Sequence, residues 1–122
     1  MITVSEEEFR VLVQRSLDKL SETIAEAKNV VVIIEDEPSD EQKQRMHIHQ
    51  GQLLFGLYEG IPLAQRNGNI NSYLPDKITI FKNPICLIAN DMHELQEQVH
   101  NTVWHEFAHH FGLNHDQIHS RE

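Results

Sequence analysis

With 122 residues the chain has room for one sizeable core, so a single domain spanning 1–122 is expected. Nineteen acidic against ten basic residues give a net charge of −9, which repels phosphate backbones and anionic lipid and argues against nucleic acid or a membrane as partner. Cys86 stands alone and cannot form an intrachain disulfide, and "MITVSEEEFR" has no basic segment leading into an apolar run, so a soluble, cytoplasmic protein is expected.

Ser5 followed by Glu8 has the spacing of a capping box, and Phe9, Leu12, Val13, Leu17, Leu20 and Ile24 recur at helical intervals, which predicts one amphipathic helix over residues 5 to 27. The β-branched run "NVVVIIED" is too short for a helix and is bounded by Asn29 and Pro38, which predicts a buried strand. From Glu37 to Gly51 the chain is polar and poorly periodic and reads as an exposed loop. "LLFGLYEGIPL", interrupted by Gly56 and Gly60, suggests a short strand running into a turn, and "AQRNGNINSYLPD" is loop by composition. "KITIFK" alternates, with Ile78 and Ile80 on one face and Thr79 and Phe81 on the other, and is the clearest second strand. Asp91 and Glu94 open a last helix in the manner of a capping box. Its apolar stripe runs through Met92, Leu95, Val99, Val103, Phe107 and Phe111, and Gly112 supplies the stop. The mixture predicts an α+β fold, a small twisted sheet of three or four strands packed against the first and last helices.

The last helix carries "HEFAHHFGLNH", residues 105 to 115. Residues four apart on a helix differ by about 40° around its axis, so His105 and His109 project side by side and can share one ion. Glu106 lies beyond the first histidine, where its carboxylate reaches a metal-bound water without being forced into coordination. A left-handed Gly112 can swing the chain back so that His115 meets the same ion. Three neutral imidazoles leave a fourth position open on zinc, the arrangement of a catalytic rather than a structural site. Random placement in a chain with nine histidines would give this pattern with a probability of roughly 2 in 10,000, so chance is a poor account of it.

The remaining polar candidates have plainer readings. His110 faces the apolar stripe and is expected as a hydrogen-bonded packing residue, and His93, His100 and His119 as surface or packing residues. His47 and His49 alternate in a polar segment, where a solvated pair is favoured over a second metal site. Cys86 reads as a small buried hydrophobe.

His-Glu-x-x-His-x-x-Gly-x-x-His resembles the metzincin form of the zincin signature, and that resemblance assigns His105, His109 and His115 as ligands of one zinc and Glu106 as general base. Metzincins also carry a methionine turn after the third ligand, whereas Met1, Met46 and Met92 all precede the motif here. The wider chain is more similar to the small bacterial zincin-like metallopeptidase family, through "GLYEGIPL" at 56–63, "LPDKITIFKNPI" at 74–85 and "VWHEFAHHFGLNH" at 103–115. That resemblance implies a minimal zincin fold and a protease role. The seven residues after His115 are too few for a lower cleft wall, so a shallow cleft is expected, completed by the 37–51 segment or by another subunit.

The expected function is a zinc-dependent peptidase acting on a peptide or protein. Water is activated by metal and Glu106, and the substrate adds to a free sheet edge, for which "KITIFK" is the candidate. Tyr58 and Tyr73 are candidate oxyanion donors, although core packing is the plainer reading of each. The alternatives are a zinc-binding regulatory module without turnover and a three-histidine zinc endoribonuclease of the rRNA-maturation type. The latter's motif lacks the glutamate after the first histidine, so Glu106 and the acidic charge balance weigh against it.

Overall fold

The structure, a computed structural model, describes residues 1–24, 27, 29–60 and 75–112. The N-terminal helix starts where the sequence predicts: Ser5 caps α1 (Glu6–Lys19), its hydroxyl accepting from the Glu8 N–H while the Glu8 carboxylate accepts from the Ser5 N–H. It does not run on to residue 27. Leu20 leaves helical geometry at φ −99°, ψ 16°, and a separate turn, α2 (Ser21–Ile24), follows. The apolar spacing of Leu17, Leu20 and Ile24 survives this break, which is why periodicity alone does not reveal it.

A three-stranded mixed sheet follows, made of β1 (Val30–Glu35), β2 (Gly56–Glu59) and β3 (Asp76–Phe81) in the order β1-β3-β2. β3 runs parallel to β1, with Val32 opposite Ile78, and antiparallel to β2, with Tyr58 opposite Ile78. This order corrects two expectations. "KITIFK" is the central strand, paired on both sides, so among the described residues the edge strands are β1 and β2. Ile78, Thr79, Ile80 and Phe81 are all fully buried, as a central strand covered on both faces must be. β1 is a half-buried edge with Val31 44% exposed, not a buried strand, because edge position leaves one flank uncovered.

The polar 37–51 segment is not all loop. Ser39 and Gln42 form a reciprocal capping box that opens α3 (Asp40–Arg45). After β3, α4 (Lys82–Ile88) is a seven-residue helix that the sequence reading does not anticipate; its Pro84 sits in the first turn, where a missing N–H is tolerated.

α5 (Met92–Phe111) is capped by Asp91, whose side chain accepts from the Glu94 N–H, and it ends at Gly112 in the left-handed region, φ 78° and ψ 24°. The Glu94 carboxylate bonds the Asn90 N–H instead of completing a box with Asp91. Leu95, Val99 and Val103 are fully buried and Phe107 nearly so, against Ile78 and Ile80 of β3 and Phe9, Leu12 and Val13 of α1. Met92 is 45% exposed and lies outside the stripe's buried part, at the first position of the helix. Each fully buried branched side chain contributes roughly 1.5–3 kcal/mol, so this stripe is what holds α5 to the sheet. No helix among the described residues is long and apolar enough to cross a membrane.

Candidate metal centre

His105 and His109 stand one turn apart on α5, both half-buried, with ring centroids 4.7 Å apart and planes 75° from parallel. Glu106, between them in sequence, is 7% exposed. Burial pushes its carboxyl up to about 7, and the Tyr58 peptide N–H, which hydrogen-bonds it, pulls the other way. α5 presents His105 and Glu106 to a cleft of about 290 Å³. One wall is Leu53, Leu54, Phe55 and Gly56; the other is Gln98, Asn101, Thr102, His105 and Glu106. The 37–51 segment, expected as a cleft wall, contributes none of these lining residues. Gly56 permits the close approach, because a Cβ there would come within 2.8 Å of Thr102 Cγ2 and 3.1 Å of Glu106 Cγ.

The pairing register shows which backbone groups of β2 point away from β3. Phe81 N–H donates to the Phe55 carbonyl, so 55–81, 57–79 and 59–77 are the bonded pairs, and the peptide groups of Gly56 and Tyr58 face away from β3. The side of β2 turned away from β3 thus meets the cleft at the level of Glu106, whose carboxylate accepts from the Tyr58 N–H.

A slightly larger hollow, about 320 Å³, lies beyond Leu53 and is lined by Ile2, Glu37, Lys82, Pro84, Cys86 and Leu87 among others. It offers no imidazole, and burial pushes the Cys86 thiol up, which matches the small buried hydrophobe expected.

Residues 27–122 match the zincin-like metallopeptidase family. The chain belongs to that family. No curated protein matches it. Among solved structures, a conserved hypothetical protein from Thermo thermophilus has a similar fold, with a TM-score of 0.60 and 19% identity over 97% of this chain and 100% of that one.

Membership in a zincin-like family implies zinc binding in general. The donors on α5 fit such an ion: two borderline-soft imidazoles at i, i+4 spacing, half-buried beside a cleft, with a carboxylate adjacent. His115, the expected third ligand, lies outside the described residues, as do His119 and Tyr73. Among the described residues no group of three His, Cys, Asp or Glu side chains is placed to hold a metal. His47 and His49 are both exposed, and His93 pairs with Glu97 at 3.1 Å.

His110 is the hydrogen-bonded packing residue that its position on the helix suggests: it is fully buried, with Nδ1 2.8 Å from Asp76 Oδ2. The Tyr58 hydroxyl, considered as an oxyanion donor, donates to the same Asp76 oxygen at 2.6 Å. Asp76 is the residue that sequence reasoning missed. Nothing in "LPDKI" distinguishes it from a polar residue at a strand start, since its partners lie 18 and 34 positions away.

Proposed function

We propose that the chain is a zinc-dependent peptidase in which His105, His109 and His115 hold the ion and Glu106 is the general base. One observation supports this most: His105, paired with His109 on the same helix face, and the buried Glu106 carboxylate open on a cleft walled by the edge strand β2. A zinc ion held there supplies Lewis acidity to a water and to a substrate carbonyl oxygen. Glu106 takes the proton from the attacking water and delivers it to the leaving nitrogen, and a carboxyl held near neutrality suits both transfers. The outward peptide group of Gly56 binds an extended substrate by main-chain hydrogen bonds, so the docking edge is β2. Leu53, Leu54 and Phe55 favour an apolar side chain beside the scissile bond. The acidic balance and lone cysteine support a peptide or protein substrate in the cytoplasm.

The test is Glu106→Gln. Zinc content should stay at about one per chain while cleavage of a peptide library falls about 10²–10⁴-fold. Cleavage at the wild-type rate would remove Glu106 as the base. Full zinc occupancy with no peptide cut by the wild type would instead favour a zinc-binding regulatory module.

A further inference from the structure

One buried carboxylate gathers three segments of the fold beside the metal centre. Asp76, the first residue of β3, is 2% exposed. Its Oδ2 accepts from the Tyr58 hydroxyl of β2 at 2.6 Å and lies 2.8 Å from Nδ1 of the fully buried His110 on α5. Just past β2, Gly60 runs so near that a Cβ there would collide with the same carboxylate. Tyr58 is therefore held at both ends: Asp76 takes its hydroxyl, and its peptide N–H bonds Glu106. Between those ends its ring lies within 14° of parallel to the His109 imidazole, centroids 6.5 Å apart. Burying a carboxylate is unfavourable against an apolar side chain of similar volume unless its hydrogen bonds are good. Here those bonds lead to a residue that touches both Glu106 and a candidate ligand.

We propose that Asp76 is a positioning residue of the metal centre, fixing through Tyr58 the placement of the β2 edge relative to Glu106 and His109. A tyrosine has two side-chain torsions, so anchoring its hydroxyl fixes the ring plane and, with it, the strand from which the ring projects. His110 ties the adjoining turn of α5 to the same oxygen, and His109 is its neighbour in that turn. Partners of this outer kind change metal affinity about 10–100-fold when removed. The inference rests on the zinc reading for its metal measurements alone.

Asp76→Asn and Tyr58→Phe are compared in the full chain with Leu12→Ala, a core control in α1 remote from the site, at temperatures that give equal fractions unfolded. In zinc-free protein the amide exchange of Tyr58 is followed by NMR. In metal-loaded protein, zinc retention is measured against a competing chelator, and the visible bands of the cobalt(II) form are recorded. Both site variants should speed amide exchange at position 58 at least about tenfold beyond the control, weaken zinc retention about tenfold and shift the cobalt bands. Exchange at position 58 and metal behaviour that track the control in both variants would reduce Asp76 to a structural brace and overturn the proposal. If Asp76→Asn does not fold, Tyr58→Phe carries the comparison. If the wild type binds neither zinc nor cobalt, the zinc reading fails separately, and Tyr58 exchange alone decides for or against Asp76.

Discussion

β1 and β2 flank the same central strand and, among the described residues, each is paired to another strand on one side alone, yet they differ in what lies beside them. The hollow next to β1 is lined by Leu17, Ile24, Val30, Val32 and Phe107 with polar neighbours such as Gln14 and Asp18, and it contains no histidine. β2 passes over Thr102 and Glu106 so closely that only glycine fits at position 56, and its far end is pinned where Glu59 meets Arg45 at 2.6 Å and Lys77 at 3.7 Å. An open edge offers main-chain hydrogen bonds to any extended chain. What β2 adds is the buried Glu106 carboxylate beneath that edge, and the helix that carries it is held in place by the core rather than by the edge itself.

The largest expected effect removes the support under both edges at once. Val99 is fully buried on α5 against the sheet, so Val99→Asp places an unpaired charge in the core and should destabilise the fold by about 3–5 kcal/mol. Chemical denaturation measures this. An unchanged unfolding midpoint would mean that α5 does not bury this face.

Next in size is a pH effect confined to the β2 side. The Glu106 carboxyl is raised from 4.5 to about 7 by burial. A folded-state value above the unfolded one means the stabilising contribution is complete below about pH 4.5 and is lost as pH rises through 7. The difference of about 2.5 pH units corresponds to at most ~3 kcal/mol. Zinc-free wild type should therefore lose stability relative to zinc-free Glu106→Gln between pH 4.5 and 7.5. Every other carboxylate titrates in both proteins, so the difference isolates this group. Parallel stability curves would show that Glu106 is not desolvated.

Gly56→Val tests the close approach directly. The added carbons must displace Thr102 Cγ2 and the Glu106 side chain, which should cost about 1–3 kcal/mol by overpacking. Cleavage, once a substrate is in hand, should fall more than stability explains, because β2 is pushed away from Glu106. A variant that keeps full activity would uncouple this edge from the base.

These contrasts also mark what local sequence can and cannot convey. The α5 start at Asp91, its stop at Gly112 and the juxtaposition of His105, Glu106 and His109 follow from spacing along one helix, and spacing is visible in the chain. The capping box of α3 is equally local, at Ser39 and Gln42, but none of that helix is buried, so no apolar stripe draws attention to it. Strand order is different in kind. "KITIFK" alternates as an edge strand would, and only its pairing with segments about 20 and 46 residues earlier makes it central. The Asp76 cluster is illegible for the same reason, since Tyr58, Asp76 and His110 come together through the sheet register and not through any motif.

The smallest effect is expected at the other edge, and it bears most directly on the comparison. Val31 is 44% exposed in the middle of β1, and its registered neighbour on β3 is Lys77. Val31→Glu keeps the side chain at the surface and sets it opposite a lysine, so the lost β-propensity and partial apolar contact should amount to under about 1 kcal/mol. A charge on an edge strand does, however, discourage another chain from pairing there. If peptides dock on β2, this substitution leaves kcat and KM within about twofold of wild type, because the altered edge is separated from Glu106 by the whole width of β3. If instead KM rises tenfold for Val31→Glu while Gly56→Val cleaves normally, the docking edge is β1 and the chemistry must reach it from elsewhere. The pair of variants thus assigns the edge by opposite outcomes, and the stability of each, read by the same denaturation curve, keeps a folding defect from being taken for a docking one.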